Sequence, residues 1–239
     1  MPQAILFDHD GTLVDSEPSH LALWNEVLEP LGVTIPEPLY KDLYAGMPTP
    51  ANAVDIAERF GLDVAPAELA ERKAQATRAF LAARPFPLMP GTREVLDQLR
   101  AAGLRLAVVT GAARDATRAS LAGHGILDRF ETVVTADDVA FSKPAPDCYL
   151  LAARQLGVSP SECVAIEDSE HGLQAAADAD VPCVVKPTPM SAHHDFARAT
   201  VRVDDLHAAG RSGRRPQDPA GRRRVRGRYA PRRPRTRGP

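Results

Sequence analysis

The sequence predicts an α/β protein: a three-layer sandwich with a central parallel sheet, plus an inserted all-helical block. Two observations carry this. Short apolar runs at 4–7, 104–109, 132–135, 163–166 and 182–185 alternate with stretches of helical period, the pattern of a parallel sheet covered by helices on both faces. Residues 16–85 break the alternation after its first strand and hold helical period alone, so they read as an insertion at the mouth of the sheet, a natural lid.

The first strand is the run Ala4 to Phe7, closed by the turn signal Asp10-Gly11. A helix over 18–31 follows, with Leu21, Trp24, Val27, Leu28 and Leu31 at helical spacing, Ser16 placed to cap it and Gly32 to end it. Further helices are expected near 39–43, 50–60 and 67–83, broken at Gly46-Met47-Pro48 and Gly61-Leu62. The Pro-rich stretch 85–91 reads as a linker back to the sheet. Helices over 92–102, 113–124, 146–156 and 172–179 then separate the remaining strands, and Gly103 and Gly157 end two of them. Asp180 follows the last of these helices at a turn that asks for positive φ. Residues 201–206 look like the start of a closing strand and helix.

At 239 residues, 44% hydrophobic and 25% charged, the chain suits a soluble globular protein of one domain plus an insertion. No signal peptide and no bilayer-spanning run is visible. Cys148, Cys163 and Cys183 lack paired metal-ligand spacing, and an odd count suits reduced thiols in a cytoplasm. Net charge is −2, but residues 211–239 carry twelve Arg against one acid, Asp218, so the rest of the chain is strongly acidic. That Arg-, Pro- and Gly-rich tail is predicted to be disordered. A basic tail attracts phosphates, yet only Tyr229 is there to stack on bases. A nucleic-acid partner is therefore not expected, and a solvated or frameshifted end is favoured.

Four strand ends carry groups with chemical potential. They are Asp8 and Asp10; Thr110-Gly111-Ala112; Lys143 in Ser142-Lys143-Pro144; and Glu167-Asp168-Ser169. Ligands of open α/β sheets bind at the carboxyl edge, so these groups converge on one crevice. A hydroxyl and backbone N–H groups at a helix N-terminus bind anions, a Lys adds a compact positive charge, and carboxylates from two strands suit Mg²⁺. Together they fit phosphoryl transfer with an Asp nucleophile. Each group also has a plainer reading: a β-turn at Asp10-Gly11, a helix cap at Thr110 or Asp168, a solvated Lys143. Four such coincidences, all at strand ends, are improbable.

The set resembles the haloacid dehalogenase superfamily of phosphohydrolases, in the helical-cap subgroup that includes β-phosphoglucomutase-like proteins and sugar-phosphate phosphatases. The motifs are Asp8-His9-Asp10-Gly11-Thr12, Val108-Val109-Thr110-Gly111, Lys143 in Ser142-Lys143-Pro144-Ala145-Pro146-Asp147, and Glu167-Asp168-Ser169 followed by Gly172, and the likeness spans residues 4 to about 206. It implies a Rossmann-like core (1–15 and 86–210) and a helical cap (16–85). It also implies a Mg²⁺ cofactor held by Asp8, the Asp10 carbonyl and Asp168, with Glu167 acting through water or in place of it. Asp8 would attack phosphorus. Asp10 would protonate the leaving oxygen and then deprotonate the attacking water. Thr110, Lys143 and the backbone N–H groups of His9, Asp10 and Gly111 would hold the phosphoryl oxygens.

The resemblance also bears on substrate. The carboxylate at Asp10 disfavours dehalogenation. His20, Trp24, Gly46 and Lys73 match cap positions of the mutases, while Ala45 and Thr49 replace the Lys and Arg that flank the mutases' cap-loop glycine. For His20 and Trp24 the plainer reading is packing of the cap core. His9 stands where the family has an apolar or aromatic residue. The expected protein is a cytoplasmic, monomeric Mg²⁺-dependent phosphatase of a small phosphorylated metabolite, probed against two alternatives: a phosphosugar mutase and a phospho-acceptor signalling module.

Overall fold

The computed structural model describes residues 1–213. The tail expectation therefore lies outside the described residues from 214 onward.

Six parallel strands form one sheet in the order β3-β2-β1-β4-β5-β6. They are β1 (Ala4–Phe7), β2 (Arg105–Val109), β3 (Thr132–Val134), β4 (Cys163–Glu167), β5 (Cys183–Val185) and β6 (Val201–Arg202). β1 lies between β2 and β4, with Phe7 opposite both Val108 and Ile166. The chain walks from β1 to β3 on one side, then crosses to β4 and on to β6. The crevice at this reversal opens at the carboxyl ends of β1 and β4.

The strands are apolar throughout because both faces are covered. Period-two alternation sends Ala4, Leu6, Ala107, Val109 and Ala165 to one face, against α7 (Asp147–Leu156) and α8 (Glu170–Asp178). Ile5, Phe7, Val108, Val164 and Ile166 face the other way, against α5 (Thr92–Ala101), α6 (Arg114–Gly123) and α9 (Leu206–Gly213). The three cysteines are free and buried.

Between β1 and α5 come α1 (Glu17–Leu28), α2 (Glu37–Leu43), α3 (Thr49–Arg59) and α4 (Pro66–Ala83). They build an apolar cluster of their own around Trp24, Leu28, Ile35, Tyr40, Ile56 and Leu69. Two chain segments join this block to the sheet, and they pair with each other. Asp15 N–H donates to Pro87 O at 2.8 Å and Met89 N–H to Leu13 O at 3.0 Å.

Several expectations are corrected by local physics. Ser16 does not cap α1: its backbone is already helical (φ −90, ψ −24), so its side chain makes no cap bond and is buried, whereas a capping side chain needs an extended backbone. The helix expected over 18–31 stops at Leu28, and Glu29–Leu31 tightens into a 3₁₀ turn containing Pro30. α8 starts at Glu170, two residues early, because Ser169 caps it through Gly172 N–H at 3.2 Å. Asp168 is thus not the cap. α9 continues through Gly213, beyond residue 210, and its Gly210 and Gly213 pack so close to Val95 and Ile5 that a Cβ would fall 2.9 and 3.1 Å from them. Asp180 adopts the positive φ expected of it, +57.

Candidate active site

β1 carries the chain into the site. Asp8 N–H extends the ladder by one bond, to Ile166 O at 3.0 Å. The backbone then coils back, with Leu13 and Val14 N–H groups both donating to His9 O. Gly11 takes φ +79 in this coil, and a Cβ there would stand 2.3 Å from Asp168 Oδ2. Position 11 is glycine for two reasons: the backbone needs positive φ, and Asp168 occupies the space a side chain would fill.

Lys143 enters from the loop after β3. Its ammonium donates to Asp8 Oδ1 at 2.7 Å, Glu167 Oε1 at 2.6 Å and Val109 O at 2.8 Å. Glu167, the last residue of β4, also accepts from Tyr149 Oη at 2.6 Å. Its carboxylate fills the space above Gly172, where a Cβ would meet it at 2.0 Å. Thr110, at the end of β2, accepts from Ala112 N–H at 3.0 Å, which shapes the turn into α6.

Electrostatics set these groups apart. Burial, with Glu167 and Asp10 nearby, pushes the Asp8 carboxyl up to about 7 against the pull of Lys143. Burial, Asp8 and Glu167 hold Asp168 well above the usual carboxylate range. Burial alone would lower the Lys143 ammonium, but Asp8 and Glu167 outweigh it and hold the lysine charged. Asp8, Glu167 and Asp168 each offer an oxygen within 4.8 Å of the others. Three buried carboxyl groups crowd one another, with Lys143 on two of them and Lys186 near Asp168, and their all-oxygen donor set fits a divalent cation such as Mg²⁺. Ser191 Oγ steadies Asp168 Oδ2 at 3.2 Å. The Asp10 side chain is outside that oxygen cluster.

Asp10 instead sits between two imidazoles. His9 Nδ1 is 3.1 Å from Asp10 Oδ2, and His20 Nε2, from α1, is 3.7 Å from Oδ1. Burial would raise the Asp10 carboxyl, but His9 and His20 outweigh it and hold it well below the usual range. His20 Nδ1 lies 3.2 Å from Lys73 Nζ, which also donates to Thr77 Oγ1 at 3.0 Å and stands over the Trp24 ring. Burial lowers the Lys73 ammonium to about 8, against Glu17 and Asp10.

A cavity of about 830 Å³ lies between sheet edge and helical block. Asp8, Asp10, Thr110, Gly111, Lys143 and Asp168 line it from the sheet side, and His20, Trp24, Gly46 and Lys73 from the helical side. His9 and Glu167 lie beneath this surface, fully buried. Thr49 lines the cavity without a charge, and Ala45 is buried. Glu17, Tyr149 and Ser191 were not anticipated as site residues. Glu17 accepts from Tyr40 Oη at 2.6 Å and from Gly46 N–H at 3.0 Å, tying the loop over the cavity to the start of α1. Their partners are 18 to 29 residues away, so no local pattern marked them.

Comparison with known proteins agrees with this layout. The model of the haloacid dehalogenase-like hydrolases matches residues 2–180. Protein CbbY of Rhodobacter capsulatus is 34% identical over 215 residues, 87% of this chain and 95% of that protein. Fructose-1-phosphate phosphatase YqaB of Escherichia coli (strain K12) is 38% identical over 188 residues, 75% of this chain and 94% of that protein. The crystal structure of a mutant CbbY from Rhodobacter sphaeroides, in complex with xylulose-(1,5)bisphosphate, superposes with a TM-score of 0.77 at 31% identity, covering 88% of this chain and 99% of that one.

Proposed function

We infer that this chain, which belongs to the haloacid dehalogenase-like hydrolase family and is a phosphoric monoester hydrolase, is a Mg²⁺-dependent phosphatase of a small sugar phosphate that works through an aspartyl phosphate on Asp8. The observation that carries this reading is the convergence of Asp8, Lys143 and Asp168 on one cavity floor, with Glu167 directly beneath and Asp10 beside them and outside their network.

Asp8 is the nucleophile. Lys143 holds its Oδ1 and orients the carboxylate. One Asp8 oxygen bonds to phosphorus as the bond from phosphorus to the alcohol oxygen breaks, and that oxygen takes a proton from Asp10. Asp10 then removes a proton from a water whose oxygen attacks phosphorus, which frees Asp8 and releases phosphate. In the free site the two imidazoles keep Asp10 ionised. A phosphoryl group arriving beside it adds like charge, which raises the carboxyl toward the protonated form that the first step needs. Asp8 and Asp168 would hold Mg²⁺, with Glu167 alongside. The ion supplies positive charge that offsets the charge of the transferred phosphoryl group. Thr110, Gly111 and Lys143, with backbone N–H of His9, complete the phosphate cradle.

Residues 16–85 act as the cap. A cavity of this size holds more than a phosphate, and His20, Trp24, Gly46 and Lys73 face the rest of the substrate. The named activity of YqaB and the ligand of the CbbY crystal support a phosphorylated sugar as the substrate class. Uncharged Thr49 disfavours mutase chemistry, because a mutase must also grip a second phosphate. The test is hydrolysis of a phosphosugar panel with Mg²⁺, following phosphate release and isomer formation together. Phosphate release without isomerisation is expected. A folded protein that hydrolyses no member, or isomerises without release, overturns the reading.

A further inference from the structure

Asp10 must present a defined oxygen to the leaving group, and a carboxylate free to rotate about its last bond does not. His9 bears on this. It is one residue before Asp10, its side chain is 1% exposed, and it reaches two polar partners. Nε2 lies 3.2 Å from Ser120 Oγ of α6, and Nδ1 lies 3.1 Å from Asp10 Oδ2. Nδ1 is buried and faces Asp10 Oδ2 at 3.1 Å.

We propose that His9 is a positioning residue for Asp10, with Ser120 fixing the imidazole so that the Nδ1 hydrogen points at Asp10 Oδ2. Ser120 Oγ holds the ring at Nε2, and a ring carrying a hydrogen on Nδ1, in its neutral or its charged form, aims that hydrogen at Asp10 Oδ2. That hydrogen occupies Oδ2, so the transferable proton of Asp10 rides on Oδ1. Oδ1 is the oxygen on the side of His20, which lines the cavity. His9 itself neither gains nor loses a proton in the reaction. It selects which carboxyl oxygen works. A ring in an apolar core would not need Ser120, and α6 buries this serine fully at the point of contact.

The inference rests on the reading of Asp10 as the acid, so the experiment separates the two. kcat/KM reports the steps up to departure of the leaving group. The two substrates compared are 4-nitrophenyl phosphate, whose phenolate leaves without a proton, and the best alkyl phosphate of the panel, whose alkoxide needs one. His9→Phe is expected to lower kcat/KM for the alkyl ester by about tenfold or more, as loss of well-placed acid catalysis does. Its loss on the aryl ester should be clearly smaller, so that the alkyl-to-aryl ratio of kcat/KM falls. His9→Asn places an amide N–H where Nδ1 stands and is expected to recover the alkyl-to-aryl ratio. His9→Gln reaches only the Nε2 place and is not. A folding defect moves both substrates together and leaves the ratio untouched, and the Asn and Gln variants decide between themselves if the Phe variant does not fold. Equal loss on both substrates, or an Asn variant no better than Gln, overturns the proposal. Asp10→Ala is the control. If it keeps alkyl turnover, the acid assignment itself falls, whatever the His9 variants do.

Discussion

Asp168 fills the space that a side chain on Gly11 would occupy: a Cβ at residue 11 falls 2.3 Å from Asp168 Oδ2, on a backbone with φ +79. The coil that follows Asp8 and the residue just past β4 are therefore fitted to each other at the atom proposed to hold the cation. Gly11→Ala must strain the coil or displace the carboxylate. The expected cost is on the order of 1–3 kcal/mol in urea unfolding, with weaker Mg²⁺ binding by calorimetry. Native Mg²⁺ affinity in a destabilised variant would separate the two effects and count against the fit.

Lys143 and Tyr149 share one oxygen of Glu167, each at 2.6 Å, but only Lys143 also touches Asp8. Tyr149→Phe removes one buried hydrogen bond and is expected to cost about 1–2 kcal/mol of stability with modest loss of kcat. Lys143→Ala leaves two acids without their cation and is expected to reduce kcat by at least about a hundredfold. Comparable kcat losses in the two variants would show that Glu167 orientation, not the charge on Asp8, is what matters.

Lys73 is buried with its ammonium lowered to about 8. Between pH 8 and the ordinary lysine value of 10.5, the unfolded chain binds a proton that the folded chain does not. Folding stability from this group therefore rises with pH across that window and is lowest below it. Lys73→Met is expected to be the more stable protein at pH 7, by on the order of 3 kcal/mol, with the advantage fading toward pH 10. Its KM for the sugar phosphate should rise, and in the parent KM should rise above pH 8 as the ammonium is lost. A variant less stable at pH 7 contradicts the assignment.

Chelation is expected to abolish phosphatase activity while the far-ultraviolet circular dichroism stays unchanged, because the sheet and its two apolar faces do not depend on the acidic cluster. Returning Mg²⁺ at a hundred times its Kd should restore turnover and add about 2.7 kcal/mol of stability. Full activity after chelation would remove the ion from the account.

The fold was legible because its strands are apolar on both faces and end in turn residues, and because Gly32, Gly103 and Gly157 stop helices with positive φ. The core of the site was legible for a related reason: strand ends share an edge, so Asp8, Thr110, Lys143 and Asp168 meet once the sheet is parallel. What escaped was tertiary. Ser16 reads as a cap in sequence, but its backbone is already helical, next to Asp15, which is bonded to the return segment at Pro87. Glu17 reads as an acid in a first helical turn, yet it is buried and held by Tyr40 and by the Gly46 amide. His9 reads as an oddity until α6 brings Ser120 against it from 111 residues away.

The central claim is that phosphorus passes through Asp8. Rapid mixing with a ³²P-labelled sugar phosphate and Mg²⁺, acid quench within the first turnover and peptide mapping test it directly. The account predicts transient, hydroxylamine-labile label on the peptide that carries Asp8, and none in Asp8→Asn. Release of phosphate in that turnover with no label on the protein, or undiminished turnover by Asp8→Asn, would contradict it.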